Sequence, residues 1–297
     1  MIICDDCSSD STWAILERFA SSAPFPVFLH KNSGNLGSTQ NFSQAISMCH
    51  GEIIALCDQD DVWMPEKLMK VEAQFADQRV GLVFSNAVIV DDKLNPLGFQ
   101  LWNTSLASKM HRQIQQGNEF RMQMKLNVVT GATMAFRSNF WTISLPIPEN
   151  IPSAHDGWIA LVIASVSQFI LLPEPLIYYR QHNRQQTGVP KKQALLALPQ
   201  QHLREHLYQL EVLLAHLESI SQIMSSSHPC IKPAQQIEGH ISYIHAQVRH
   251  IRIRLGLSRC WLSRMPTVLT ELMTGHYHRY SNGFRSAARD MIIFQSE

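Results

Sequence analysis

The first 85 residues alternate short apolar runs with amphipathic segments, joined by links of a few residues. Ile2 to Cys4 read as the end of a strand. The turn formers of "DDCSSDST" precede a helix over about Trp13 to Ala20, with Ser11 or Thr12 near its N-cap. Val27 to His30 form a short strand, and the Gly/Asn turn "NSGNLGS" leads to a helix over about Thr39 to Cys49. Ile53 to Cys57 are the next strand; Pro65 then opens a helix to about Ala76, and Val80 to Ser85 form a further strand. Strands alternating with helices over short links predict a parallel α/β sheet. In such sheets ligands bind outside the carboxyl ends of the strands.

Both acidic clusters of this region, Asp5-Asp6 and Asp58 to Asp61, fall at such strand ends. In "IIALCDQDDVW" an apolar strand surfaces into three carboxylates within four positions. Like charges that close repel, and each loses solvation beside an apolar wall. Oxygen ligands of the D-x-D form on a strand-end turn suit a hard divalent ion such as Mn²⁺ or Mg²⁺. A solvated turn with Asp61 capping the next helix is the plain alternative.

The chain of 297 residues carries a formal charge of +1, which gives no argument for a nucleic-acid partner. The charge divides unevenly: residues 1–190 hold 13 Lys/Arg against 17 Asp/Glu, and residues 191–297 hold 12 against 7. We therefore expect two regions, 1–188 and 189–297. In the second, Leu203, Leu207, Leu210, Leu214, Leu217 and Met224 follow heptad spacing, as do Ile237, Ile241, Ile244, Val248, Ile251 and Leu255. Joined by "SSSHPCIKP", they predict an antiparallel helical hairpin. The tail from about Arg259 interleaves aromatic residues with arginines, a pattern for peripheral docking on an anionic membrane face or for a packed helical layer. Ile159 to Leu172 is too short an apolar stretch to span a bilayer and reads as a buried helix running into a strand. Scattered cysteines, with Cys4 and Cys7 flanking a turn, fit a reducing compartment. "MIICDDCSSD" lacks a secretory signal, so the expected location is the cytoplasm, peripheral at the inner face of the plasma membrane if the tail docks there.

The run "GNLGSTQNFSQAISMCHGEIIALCDQDDVWMPEKL" resembles the family-2 glycosyltransferases, and "DQDDVW" resembles their rhamnosyltransferase-like branch. "IICDDCSSDST", "TGATMAFR", "HDGW" and "YYRQH" resemble that family's nucleotide-contacting, sugar-lining, base-carrying and site-closing segments, over roughly residues 1–185. The resemblance implies a GT-A fold: a Rossmann-like, mostly parallel sheet flanked by helices, followed here by the helical hairpin and amphipathic tail. It implies that Asp5 and Asp6 hold the nucleotide, that Asp58 lies near the ribose, that Asp60 ligates Mn²⁺ or Mg²⁺, and that Asp156 is the general base. Gly131 falls in the segment lining the donor sugar. Arg180 and His182 stand where the diphosphate or metal would be met, or make structural bonds instead. The partners implied are a dTDP-, UDP- or GDP-sugar donor and a glycan or lipid-linked acceptor.

The expected activity is inverting, metal-dependent sugar transfer in cell-surface polysaccharide synthesis. The alternatives are a nucleotidyltransferase and an impaired member that binds nucleotide or glycan without turnover. The second rests on the start of the chain. In the family the strand resembling Ile2 to Cys4 is the second, so we expect an N-terminally shortened chain. Its sheet should be one strand short, with Asp5 and Asp6 unusually exposed.

Overall fold

The structure is a computed structural model that describes residues 1–148, 154–182, 199–223, 232–258 and 260–292. The expected boundary at 188, the seam position Met224 and most of the "SSSHPCIKP" link lie outside the described residues. The described chain divides into two compact units.

The first unit holds β1 (Ile2–Asp5), α1 (Thr12–Ser22), β2 (Phe28–Lys31), α2 (Ser38–Ser47), β3 (Ile53–Ala55), β4 (Val62–Trp63), α3 (Lys67–Gln74), β5 (Val80–Val90), β6 (Pro96–Gln100), α4 (Thr104–Gln115), α5 (Glu119–Leu126), β7 (Met134–Arg137), α6 (Trp141–Ser144), α7 (His155–Val166) and β8 (Gln168–Arg180). Residues 232–233 belong with it. The alternation expected from the sequence is present, but the mostly parallel pairing is not. β1 and β2 pair in parallel as a sheet of their own. The larger sheet is mixed, with order β3-β7-β5-β8-β4 and β6 on β5. Only β5–β8 is parallel there; β7, β4 and β6 come in antiparallel.

Residue chemistry explains the centre. β5 reads "VGLVFSNAVIV" and is buried nearly throughout, as a strand covered on both faces must be. α7 is apolar on every side and correspondingly buried from Gly157 to Val166. β8 carries Pro173 and Pro175, which cannot donate to a ladder. Its register against β5 jumps there, from Ser85–Leu172 to Asn86–Pro175. The buried Asn86 side chain compensates. Its Nδ2 reaches the Trp102 and Pro173 carbonyls at 3.0 and 3.3 Å, and its Oδ1 accepts from the Ala87 and Trp102 amides. On α5, Glu119 pairs with Lys232 at 2.5 Å, both buried, and Lys232 also donates to the Ala164 carbonyl.

The second unit holds α8 (Pro199–Ile223), α9 (Ala234–Leu255), α10 (Trp261–Met273), α11 (His276–Tyr280) and α12 (Phe284–Ile292). The pairs Glu218–His245 and Glu211–Arg252 show that α8 and α9 run antiparallel. The heptad seam is buried at Leu210, Leu214 and Leu217 and at Ile237, Ile244, Val248 and Ile251. The tail packs on this hairpin through buried polar groups. Arg254 forks onto Asp290 at 2.6 and 3.2 Å, Tyr277 donates to Asp290 at 2.7 Å, and Arg264 donates to the Asp290 carbonyl at 3.0 Å. His250 lies 2.6 Å from Glu271. The tail is therefore a packed helical layer, with Leu262, Leu269 and Met273 of α10 and Phe284 and Ile292 of α12 left exposed.

Gly81 on β5 marks the tightest packing. A Cβ there would sit 2.7 Å from Ser167 Cβ and 2.8 Å from the Phe140 ring. Gly81→Ala should cost about 1–3 kcal/mol by overpacking, read as a lower urea midpoint at unchanged slope. An unchanged midpoint would show that this layer yields easily.

Candidate active site

The acidic turn is held between two ladders. β3 pairs with β7, and the Leu56 amide extends that ladder to the Met134 carbonyl at 3.2 Å. After the turn, Val62 and Trp63 pair with Tyr178 and Ile177. The carboxylates of Asp58, Asp60 and Asp61 consequently place one oxygen each within 4.8 Å of one another.

The end of β8 closes over this turn. The Arg180 amide donates to Asp61 Oδ1 at 2.9 Å, and its Nε donates to the Asp60 carbonyl at 2.6 Å. Its Nη1 donates to the Asp92 carbonyl. The guanidinium expected at a diphosphate is thus engaged in fixing the turn. His182 Nε2 lies 3.0 Å from Asp60 Oδ2, so of its two expected roles the structure displays the contact with Asp60.

Burial, followed by the neighbouring Asp60 and Asp156, pushes Asp58 up to about 6. Burial likewise pushes Asp61 up to about 7, against the opposing Arg180 amide bond. Asp61 Oδ2 is buried with no hydrogen-bond partner among the described residues. A hard-oxygen donor set with one orphaned buried oxygen fits a divalent cation. Lys67 answers part of the charge. It is buried, its Nζ donates to the Ala132 carbonyl at 2.6 Å, and burial lowers it to about 8.

Asp156 enters on the first turn of α7, where the helix N-terminus favours an anion. The N-cap position itself is Ala154, so Asp156 is not the cap. Its Oδ2 accepts from the Gly131 amide at 2.8 Å and its Oδ1 from the Gly157 amide at 2.7 Å. A side chain at Gly131 would be crowded. A Cβ there would lie 3.1 Å from His155 Nε2 and 3.3 Å from Asp156 Cβ. His155 stacks on Phe42 with ring centroids 4.0 Å apart, and both its nitrogens are buried without partners among the described residues. Burial lowers the pKa of that imidazole, against the opposing charge of Asp156. Tyr179 is pushed far up, first by burial and then by Asp61, Asp58, Asp60 and Asp156. One hydroxyl therefore lies in the field of all four carboxylates.

Asp5 and Asp6 differ from expectation. Asp5 is 4% exposed rather than unusually open, and its Oδ2 accepts from the Ser8 amide at 3.2 Å. Asp6 is partly buried, which alone would raise its pKa. The Leu36 amide at 2.7 Å, Asn32 at 2.9 Å and the Gly37 amide at 2.9 Å together hold it below the usual range. The "GNLG" turn is thus organised around Asp6.

Sequence reasoning missed Lys67 and Asn32. Lys67 had a readable signal: it lies four residues before Val71, on the apolar face of α3.

Residues 1–143 match the glycosyl transferase family 2 model. An uncharacterised glycosyltransferase of Nostoc sp. is 28% identical over 192 residues, 61% of this chain and 55% of that protein. The chain spans about half the length of the curated relatives it matches. Escherichia coli WfaP, a UDP-Glc:α-D-GlcNAc-diphosphoundecaprenol β-1,3-glucosyltransferase, is 30% identical over 92 residues, 31% of this chain and 36% of its own length. A structure of S. aureus TarS 1–349 in complex with UDP-GlcNAc superposes with a TM-score of 0.53 at 14% identity. It covers 98% of this chain and 72% of that one, and it shows a shared GT-A-like fold.

The raised carboxyls make a pH test. In the folded chain Asp61 titrates at about 7 against an ordinary 3.8, so the fold retains its proton where the unfolded chain has lost it. Stability contributed by the protonated carboxyl is present below about 4 and lost as pH rises through about 7. In metal-free buffer, the Tm of Asp61→Asn relative to the parent should increase from pH 4 to pH 7.5. A flat or falling difference would contradict the burial of Asp61.

Proposed function

We propose that this chain transfers a glycosyl group from a nucleoside diphosphate sugar to a hydroxyl of a glycan or lipid-linked glycan, with inversion at the anomeric carbon. The observation that carries this is the cluster of Asp58, Asp60 and Asp61 carboxylates at a strand end, with Asp156 acting electrostatically on Asp58. The match of residues 1–143 to the glycosyl transferase family 2 model supports the reading. The rhamnosyltransferase-like "DQDDVW" favours a hexosyl donor carried on dTDP, UDP or GDP. The name of the relative WfaP supports a lipid-linked acceptor.

Asp156 is the group we assign to the acceptor. Two backbone amides fix its carboxylate, so it can take the acceptor hydroxyl proton without losing its orientation. Asp60 would ligate Mn²⁺ or Mg²⁺, with Asp58 and Asp61 beside it and His182 against Asp60. Such a cation, when bound, stabilises negative charge on the departing diphosphate. Arg180 acts by holding the turn in shape. Gly131 and Asp6 would border the donor sugar and nucleotide, and Asp5 supports the Asp6 turn.

Asp156→Asn should cut transfer about 10²–10⁴-fold while leaving donor binding nearly intact. Asp60→Asn should instead weaken Mn²⁺-dependent donor binding along with turnover. Loss of donor affinity in Asp156→Asn would reassign that residue to the fold. Release of a nucleoside diphosphate is expected; pyrophosphate would mark a nucleotidyltransferase. One observation favours a second reading, a chain that binds nucleotide without turnover: the β1–β2 pair carrying Asp5 stands apart from the larger sheet. Donor binding with no diphosphate released in the presence of acceptor would establish it.

The exposed apolar stripe of α10 supports peripheral docking on an anionic bilayer at the cytoplasmic face. Leu262, Leu269 and Met273 follow helical spacing, and α12 adds Phe284 and Ile292 beside exposed Arg285. Among the described residues no helix is long and apolar enough to cross a membrane. The full chain should float with phosphatidylglycerol vesicles, and Leu269→Glu with Met273→Glu should abolish this. Equal flotation of both proteins would remove the stripe from the account.

A further inference from the structure

Lys67 is 1% exposed, the lowest value for a charged side chain among the described residues of the first unit. Its ammonium touches two neutral groups: the Ala132 carbonyl at 2.6 Å and the Trp63 ring, 4.3 Å from its centroid. Among the described residues it makes no ion pair within 4.0 Å. A buried ammonium without a contacting anion loses several kcal/mol of hydration, so a fold retains one where a nearby field compensates. That field belongs to the acidic turn. Cys57 at the head of that turn, then Asp61 and Asp58, act on Lys67, and Lys67 acts back on both carboxylates.

The position is built from both sides of the site. Lys67 begins α3, four residues after Trp63 ends β4. Ala132 lies next to Gly131, whose amide holds Asp156. One side chain thus ties the acidic turn to the segment that orients the proposed base. It also sets one fixed positive charge in the field of Asp58 and Asp61.

We propose that Lys67 is a resident countercharge of the acidic turn, and a positioning residue for the site. It holds the three carboxylates together before a divalent cation arrives, and it competes electrostatically with that cation. Affinity for the bare ion is thereby kept low, so the ion binds best together with an anionic diphosphate. This inference rests on the reading of Asp58, Asp60 and Asp61 as a divalent-cation site.

The test measures Mn²⁺ binding to the full chain by the electron paramagnetic resonance signal of free Mn²⁺, with near-UV circular dichroism as the check of folding. Lys67→Gln can still donate to the Ala132 carbonyl but carries no charge; Lys67→Met fills the space; Lys67→Arg keeps the charge. Both uncharged variants should bind Mn²⁺ about tenfold more tightly, since a nearby like charge opposes the ion at the low effective dielectric of a buried site. Lys67→Arg should bind like the parent. Supporting results are tighter binding in Lys67→Gln, or binding there when the parent shows none.

Unchanged or weaker binding in folded Lys67→Gln, with Mn²⁺ still bound by the parent, overturns this inference and leaves the metal reading standing. No binding by parent or variants overturns both. Loss of the native spectrum in both uncharged variants would assign Lys67 to folding and overturn the proposal as well.

Discussion

Mutual repulsion among Asp58, Asp60 and Asp61 is the constraint on which the first unit depends. A turn free to relax would separate these carboxylates. The β3–β7 ladder on one side and the β4–β8 ladder on the other prevent this, and Arg180 closes the gap with its amide and guanidinium. The compression appears as carboxyls displaced upward, Asp58 to about 6 and Asp61 to about 7. Each shift is led by burial, so the backbone enforces a desolvation that the side chains alone would avoid.

Local order was legible where local chemistry sets it. The alternation of β1, α1, β2, α2 and β3 could be read from apolar runs and turn residues because each element is bounded by its own signals. The mixed pairing could not. β7 reaches β3 from about eighty residues away in sequence, and β4 is a two-residue strand whose partner lies beyond residue 176. Nothing local to Val62 or Met134 encodes direction. Pro173 misled in a similar way: it suggests the end of a strand, yet β8 continues through it because Asn86, a distant side chain, accommodates the shifted register.

The site was legible in its residue types and less so in their partners. Asp58, Asp60 and Asp61 lie together, and His182 meets Asp60. Asp5 was expected to stand open and is buried, since its carboxylate bends back to the Ser8 amide. Lys67 was hidden because a lysine in "PEKL" reads as a solvated helix start, and only its spacing to Val71 argues otherwise. In the second unit the heptad seam was plain, whereas the Arg254–Asp290–Tyr277 network was not. Polar residues scattered over α9, α11 and α12 carry no period that would announce their convergence.

The bulge at Asn86 has a consequence at the other end of its strand. A single carboxamide bonds to β5 and to the segment after β6, and it reaches the Pro173 carbonyl, so the phase of β8 relative to β5 admits one solution. Arg180 and His182 lie seven and nine residues beyond Pro173. Slipping β8 by one residue would turn Tyr179 outward and present its neighbours to the acidic turn instead. The timing with which the chain delivers its histidine to Asp60 is thus decided well upstream, by an amide that never approaches the carboxylates.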